Sequence, residues 1–320
     1  MNFSPIIIVG GEPQSIFLEI FLKAIKKKSQ HPIILVSSKN ILEKNIEKFK
    51  KNLKLNILNR NYSNIKKGSV NLVDINYKKF SFSKKKITNV SNSYIEKSFD
   101  KALEIIKKNN CSGLINGPIS KKSFLKGRFN GITEYLAKKT NSKNPVMLIY
   151  NKKLAVSPLT THIPISEVPN KIKKKDIIVK IKKINHFYKK YLKRIPRFGV
   201  TGLNPHCESF GRDNKEKKEI IPAIKVLKKN KINIKGPLAA DTIFLRENRK
   251  KFDVIIGMYH DQVLSPMKTL YGFDAINITL GLPFIRISPD HGPNVQMLGK
   301  NKSNPKSLIE SILFFKKHEI

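Results

Sequence analysis

Four histidines occupy settings suited to chemistry: His162 in TTHIPISEVP, His206 in GLNPHCESFGRD, His260 in MYHDQ and His291 in SPDHGPN. Each follows or closes an apolar run and sits among Thr, Asn, Asp, Pro and Gly, the residues of loops at strand ends. Neutral imidazoles are good ligands for Zn²⁺, Co²⁺ and similar ions, and three of them around an open coordination position is an arrangement used in catalysis. Spacing alone does not say whether three converge, and a lone histidine in such a loop is more often structural. His31 before a strand, His186 on a basic helix and His318 in the C-terminal tail read as structural.

A second set follows His260: Lys268, then Asn277 in AINITLGL, then Arg286 in FIRISPD. Lys and Arg supply fixed positive charge and Asn a neutral donor, which together can hold a phosphate or a carboxylate. The same three are equally compatible with a solvated lysine, a turn residue and a surface ion pair.

Positioning these groups requires strands that end where the polar residues begin. PIIIVGG, PIILVSS, GLING, PVMLIY, RFGVTGL, FDVIIGMY and AINITLGL are short apolar runs that stop at Gly or polar residues. QSIFLEIFLKAIKKK and SNSYIEKSFDKALEIIKKNN carry apolar residues at helical spacing, the second behind Ser/Asn capping residues. Alternating strands and helices indicate an α/β protein with a parallel or mixed sheet. In such sheets ligands bind beyond the carboxyl ends of the strands. At 320 residues the chain exceeds the roughly 250 at which single cores stop growing. With no Pro/Gly/Ser-rich linker, two lobes sharing one cleft are expected.

Composition narrows the partners. The chain has 63 Lys+Arg against 23 Asp+Glu, a formal net charge of +40. That excess is spread through KAIKKKSQ, KFKKNLK, KIKKKDII and KNKSNPK, with no basic tail and no aromatic-interleaved motif, which argues against nucleic acid as a partner. A positive field does help to attract an anionic substrate. No apolar run reaches the roughly 18 residues of a membrane span. Cys111 and Cys207 lie far apart without metal-type spacing, which suits a reducing, cytoplasmic setting.

Taken in order, NGPISKKS, FNGITEYLA, TTHIPISEVP, GLNPHCESFGRDNKEKKEIIPAI, GPLAADTIF, MYHDQVLSPMK and INITLGLPFIRISPDHGPNVQMLGK resemble the 4-hydroxythreonine-4-phosphate dehydrogenase family of pyridoxal phosphate biosynthesis, from about Gly10 to Lys300. The resemblance implies two α/β/α lobes around a cleft, like isocitrate and isopropylmalate dehydrogenases. One lobe would comprise residues 1–130 with 275–320, the other 131–274, in a homodimer. It implies a divalent metal (Zn, Mg or Co) on His162, His206 and His260, and a substrate held by Thr133, Lys268, Asn277 and Arg286. Lys268, Asp241 and Asp261 match residues expected at the chemistry, with the general base left open among them. His291, Gly292 and Asn294 match the loop around the adenosine end of NAD, NADP remaining possible. The implied reaction is NAD-linked oxidation of 4-phosphohydroxy-L-threonine with loss of CO₂; a sister activity on another phosphorylated or diol hydroxy acid, or a basic binding protein, are the alternatives.

Two departures stand out. The family's GHTE is GITE here, with Ile132 in place of a substrate-contacting histidine, and its GDPAGIGPE is GEPQSIFLE, with Ser15 and Phe17 in place of glycines. Asn116 also replaces a usual Thr, and DHGPN lacks the usual small residues. Altered substrate choice is expected if Ile132 matters.

Overall fold

The computed structural model describes residues 4–25, 32–58, 62, 64–125, 127–129, 131–208 and 214–318; His31 lies outside them. The chain forms two units, Met1–Lys143 with Leu282–Ile320, and Asn144–Gly281. The first begins with β1 (Ile6–Val9), α1 (Phe17–Ala24), β2 (Ile33–Ser37), α2 (Lys39–Lys48), β3 (Leu55–Ile57), β4 (Val70–Asp74), α3 (Asn92–Lys108), β5 (Gly113–Asn116) and α4 (Ile132–Lys139). The second contains β6 (Val146–Asn151), β7 (Leu154–Pro158), α5 (Val168–Lys171), α6 (Lys174–Tyr191), β8 (Phe198–Thr201), α7 (Ile221–Lys229) and β9 (Ile234–Leu238). It continues through α8 (Ala240–Ile243), α9 (Arg246–Arg249), β10 (Val254–Gly257), α10 (His260–Tyr271) and β11 (Ile276–Leu280). The chain then returns to the first unit with β12 (Arg286–Ser288) and α11 (Lys306–His318).

The first unit's strands run in the order β3-β4-β2-β1-β5-β12, and their pairings are all parallel. Its central strands are therefore buried on both faces, which is why IIIV of β1 has no polar alternation. α3 buries Tyr94, Ile95, Ser98, Phe99, Ala102 and Ile105, one face at helical spacing. α1 starts later than its apolar periodicity predicts. Gln14 is diverted: its Nε2 donates to the carbonyls of Ser81 (2.9 Å) and Lys84 (2.7 Å), and its Oε1 accepts from the Ser81 amide (3.3 Å). Ser15 Oγ, which donates to the Glu12 carbonyl and accepts from the Phe17 amide, holds the turn before the helix.

The second unit's order is β11-β6-β7-β10-β8-β9, with β6 antiparallel to both neighbours and the others parallel. β7 is hard to see in the sequence because only Lys152 and Lys153 separate it from β6 in a tight hairpin. β9 carries Gly236 and Pro237, tolerated at the end of the strand order. The core of this unit includes Ile149, Val156, Phe252 and Ile255 with Val263 and Met267 from the inner face of α10. α10 follows β10 so closely that a Cβ on Gly257 would lie 2.4 Å from Val263 Cγ1. That approach delivers His260 at the first turn of α10.

Gly257→Ala should therefore lower stability by about 1–3 kcal/mol through overpacking. In urea denaturation, the double variant Gly257→Ala/Val263→Ala should lose less than the sum of the two single losses.

Candidate functional site

In the second unit, His162 follows β7, His206 follows β8 and His260 follows β10, three strands that are neighbours in the sheet. His162 (φ 29°) and His206 (φ 55°) both adopt the left-handed backbone region, as does Cys207 (φ 63°). Non-glycine residues pay for that conformation, and it clusters at functional sites. The His162 and His260 rings lie 5.7 Å apart, centroid to centroid, tilted by 37°. His260 Nδ1 is 3.0 Å from the Asp261 carboxylate, so Asp261 can fix the tautomer that leaves Nε2 available as a ligand. His162 and His206 are exposed and His260 half-buried. Among the described residues, no three of His, Cys, Asp and Glu come together as a metal-holding group. The donor chemistry nevertheless suits a divalent ion: accessible imidazoles, two of them adjacent, one backed by a carboxylate.

Asp241 lies in the first turn of α8, which packs against the His206 turn. Its charge is one of those that raise the Cys207 thiol, after burial itself. Lys268 lies on α10 just over two turns beyond His260, and partial burial lowers its ammonium below the usual lysine range. Asn277 sits on β11 opposite Ile149 of β6, with its side-chain oxygen buried and without a hydrogen-bond partner. An orphaned buried acceptor costs about 1–3 kcal/mol, a cost that a ligand donor would offset.

In the first unit, Arg286 opens β12 at 1% exposure. Its Nε donates to Asn116 Oδ1 at 2.7 Å, and its Nη1 to Thr133 Oγ1 at 3.1 Å. Burial lowers the guanidinium to about 10, and the Glu134 carboxylate opposes that shift. Thr133 and Arg286 are thus brought together, with Asn116 as a third member that the resemblance marks only as a departure. His291 is neutral at physiological pH because burial lowers it to about 4. Both of its ring nitrogens are buried without a partner, and Phe17 lies 5.9 Å away, ring to ring. The Pro293 carbonyl accepts from the Ile16 amide, seating this loop on the turn before α1. Gly292 has room at its Cα, and Asn294 adopts a left-handed conformation (φ 45°). Unpartnered imidazole nitrogens in a loop that approaches a turn at a strand's carboxyl end fit an adenosine-type ligand.

A profile of the family described as Pyridoxal phosphate biosynthetic protein PdxA matches residues 28–314. The chain is 39% identical over 313 residues to a 4-hydroxythreonine-4-phosphate dehydrogenase of Sulfurihydrogenibium sp. (strain YO3AOP1), covering 95% of each chain. It is 35% identical over 318 residues to that of Aquifex aeolicus (strain VF5), again covering 95% of each. The crystal structure of 4-hydroxythreonine-4-phosphate dehydrogenase from Klebsiella pneumoniae superposes with a TM-score of 0.83 at 25% identity, covering 99% of this chain and 100% of that one. This chain belongs to the PdxA family. Ile132, where the resemblance expects histidine, is half-buried at the first position of α4, next to Thr133. Phe17, where it expects glycine, is buried against His291.

Glu12, Glu216 and Thr201 draw no notice as site residues in the sequence, whereas Gln262 stands out in MYHDQ as a polar support of His260. Glu12 is buried with Oε1 unpartnered, Oε2 accepting from Ser91 Oγ at 3.2 Å, and burial raises its carboxyl to about 7. Glu216, Thr201 and Gln262 hold the histidine loops and are taken up below. A Glu between lysines gives no local signal of burial.

Glu12 and His291 should impose opposite pH dependences. Glu12, raised in the fold, contributes stability below about 4.5 that is lost as pH rises through 7. His291, lowered in the fold, costs stability as pH falls from 6.5 through 4. Each effect is about 3 kcal/mol at full span. Urea denaturation should show Glu12→Gln gaining on the parent as pH rises from 4.5 to above 7, and His291→Leu gaining as pH falls from 6.5 to 4.

Proposed function

We propose that this chain is a cytoplasmic, homodimeric, NAD-dependent 4-hydroxythreonine-4-phosphate dehydrogenase that oxidises 4-phosphohydroxy-L-threonine and releases CO₂ to give 3-amino-2-oxopropyl phosphate, within pyridoxal phosphate biosynthesis. The observation that carries the reading is Arg286. A fully buried guanidinium, oriented through Nε by Asn116 and through Nη1 by Thr133, is preorganised for an anionic group of the substrate. Family membership and full-length relatives of that name support the reaction. No helix among the described residues is long and apolar enough to cross a membrane.

In this reading Lys268, Asn277, Arg286 and Thr133 bind the substrate, and His162, His206 and His260 hold a divalent cation. His291, Gly292 and Asn294 contact NAD, with NADP a possible substitute. When bound, NAD accepts the hydride and the cation polarises the oxygen being oxidised. The chain's own residues do the rest. Lys268, lowered by burial, releases its proton more readily than an ordinary lysine and is suited to take the hydroxyl proton. The C–H pair leaves as hydride, so a ketone forms β to the carboxylate. The C–C bond to that carboxylate then breaks as CO₂ leaves, its electron pair forms the enolate of the new ketone, and a proton returned to the same carbon gives 3-amino-2-oxopropyl phosphate. Asn277, whose side-chain oxygen lacks a partner, supplies an acceptor that orients the substrate. Asp261 holds the His260 ring, and Asp241 adds negative charge beside the His206 turn.

Incubation with 4-phosphohydroxy-L-threonine, NAD and a divalent cation should produce NADH absorbance that chelator abolishes. His206→Ala should remove both metal binding and turnover while leaving the circular dichroism intact. Arg286→Lys should lower kcat/KM roughly 10- to 150-fold, the value of a charged hydrogen bond. Folded, metal-loaded protein that is silent with this substrate but active on another phosphorylated hydroxy acid would favour the sister activity, and Ile132→His should then shift preference. Steeply salt-dependent RNA or DNA binding that ignores His206→Ala would instead indicate a nucleic-acid module.

A further inference from the structure

The three histidine-bearing segments of the second unit are tied together by hydrogen bonds at residues shortly before their histidines. Before His260, Met258 donates its amide to Gln262 Oε1 at 2.7 Å. Before His162, Thr160 donates both its amide (3.2 Å) and its hydroxyl (2.8 Å) to the Met258 carbonyl. Before His206, Asn204 is held by the buried Glu216 carboxylate. That carboxylate accepts from the Leu203 and Asn204 amides, each at 2.9 Å, and from the Asn204 side chain. One side chain joins the last two strands. Gln262 Oε1 also accepts from Thr201 Oγ1 at 2.8 Å, and its Nε2 donates to the Gly202 carbonyl at 2.9 Å. Gln262 therefore uses both ends of its amide to tie the end of β8 to the end of β10, while the Met258 peptide passes the connection on to the segment after β7.

We propose that Gln262, supported by Thr201, is a positioning residue for a divalent cation: it fixes the relative placement of the backbone segments that carry His162, His206 and His260. The inference rests on the metal reading given above. It follows from rigidity. Two of the three histidines occupy left-handed backbone, a conformation that relaxes unless neighbouring structure over-determines it. The bracket supplies that constraint without occupying any imidazole nitrogen. An apolar side chain of equal length keeps the packing of α10, whose inner face rests on Val263 and Met267, but removes every tie between the strands that Gln262 makes. It also leaves the Met258 amide and the Gly202 carbonyl without those partners.

The test uses the full chain and Co²⁺ as probe, with affinity measured by calorimetry and ligand geometry by the d–d absorption of the cobalt-loaded protein. Gln262→Met should weaken Co²⁺ binding roughly 10- to 100-fold, the usual effect of losing an outer-shell partner, and should alter the d–d bands while far-UV circular dichroism is unchanged. Thr201→Val should shift affinity and bands in the same direction, and Thr201→Ser, which keeps the hydroxyl, should restore them. Wild-type affinity and bands in both Gln262→Met and Thr201→Val would overturn the proposal while leaving the metal reading intact. If the parent chain bound no Co²⁺, the metal reading would fall and the proposal with it. Should Gln262→Met fail to fold, the Val and Ser variants at position 201 decide the matter.

Discussion

A buried guanidinium is the most demanding single feature of this protein. Arg286 keeps a positive charge at 1% exposure, and a buried charge is tolerated only with good hydrogen-bond partners. The partners come from separate elements: Asn116 ends β5, Thr133 lies in the first turn of α4, and Glu134 beside it supplies opposite charge. β12 is parallel to β5 with Arg286 opposite Leu114, so the side chain reaches the carboxyl end of β5, where Asn116 waits. The strand order, the length of β5 and the start of α4 are therefore constrained by one charge. Asn116 is well suited to this role, since a neutral amide oxygen accepts from the guanidinium without cancelling the charge that an anionic ligand would meet.

The second unit solves a related problem with neutral groups. Its histidines stand on loops, and loops are the most mobile parts of a fold unless their backbone is tied down. The ties here are amide, hydroxyl and carbonyl groups of Thr160, Thr201, Met258 and Gln262, with a single buried carboxylate, Glu216. A carboxylate that accepts several N–H bonds keeps its charge at low cost. That charge lies behind the His206 turn, on the Leu203 and Asn204 amides.

Much of this was legible in the chain. Strands ending in Gly or polar residues marked where the histidines would stand, and β8, β10 and β11 appear where RFGVTGL, FDVIIGMY and AINITLGL end. The short strands β3, β4, β7, β9 and β12 were not visible. β12 is three residues opening on an arginine, and β7 hides behind a two-residue turn, so neither presents an isolated apolar run. For the candidate site, residue type singled out the imidazoles and the cations, because those side chains carry chemistry wherever they stand. It could not find Glu216 or Thr201, because a carboxylate or a hydroxyl becomes structural only through the partners that tertiary contact brings to it. Glu12 belongs with them: one substitution away from the aspartate of the family motif, it reads as conservative, yet one of its two oxygens, Oε1, is buried without a partner.

The two departures from the family pattern differ in physical weight. Phe17 adds a large apolar ring to the turn before α1, and that ring is absorbed: it is 1% exposed and packs against His291. Gln14 and Ser15 in turn satisfy backbone groups that a glycine-rich turn would leave to other partners. The segment is thus rebuilt as a coherent piece of structure, and its loss of glycines need not mean loss of a ligand surface, because the adjoining imidazole still has both nitrogens uncommitted. Ile132 is different. It stands half-buried on α4 beside a threonine whose hydroxyl is already engaged by Arg286, and an isoleucine there can offer neither a donor nor an acceptor. Any hydrogen bond that a histidine would make from this position has to come from another residue or be absent, so Ile132 is the departure with the larger chemical consequence.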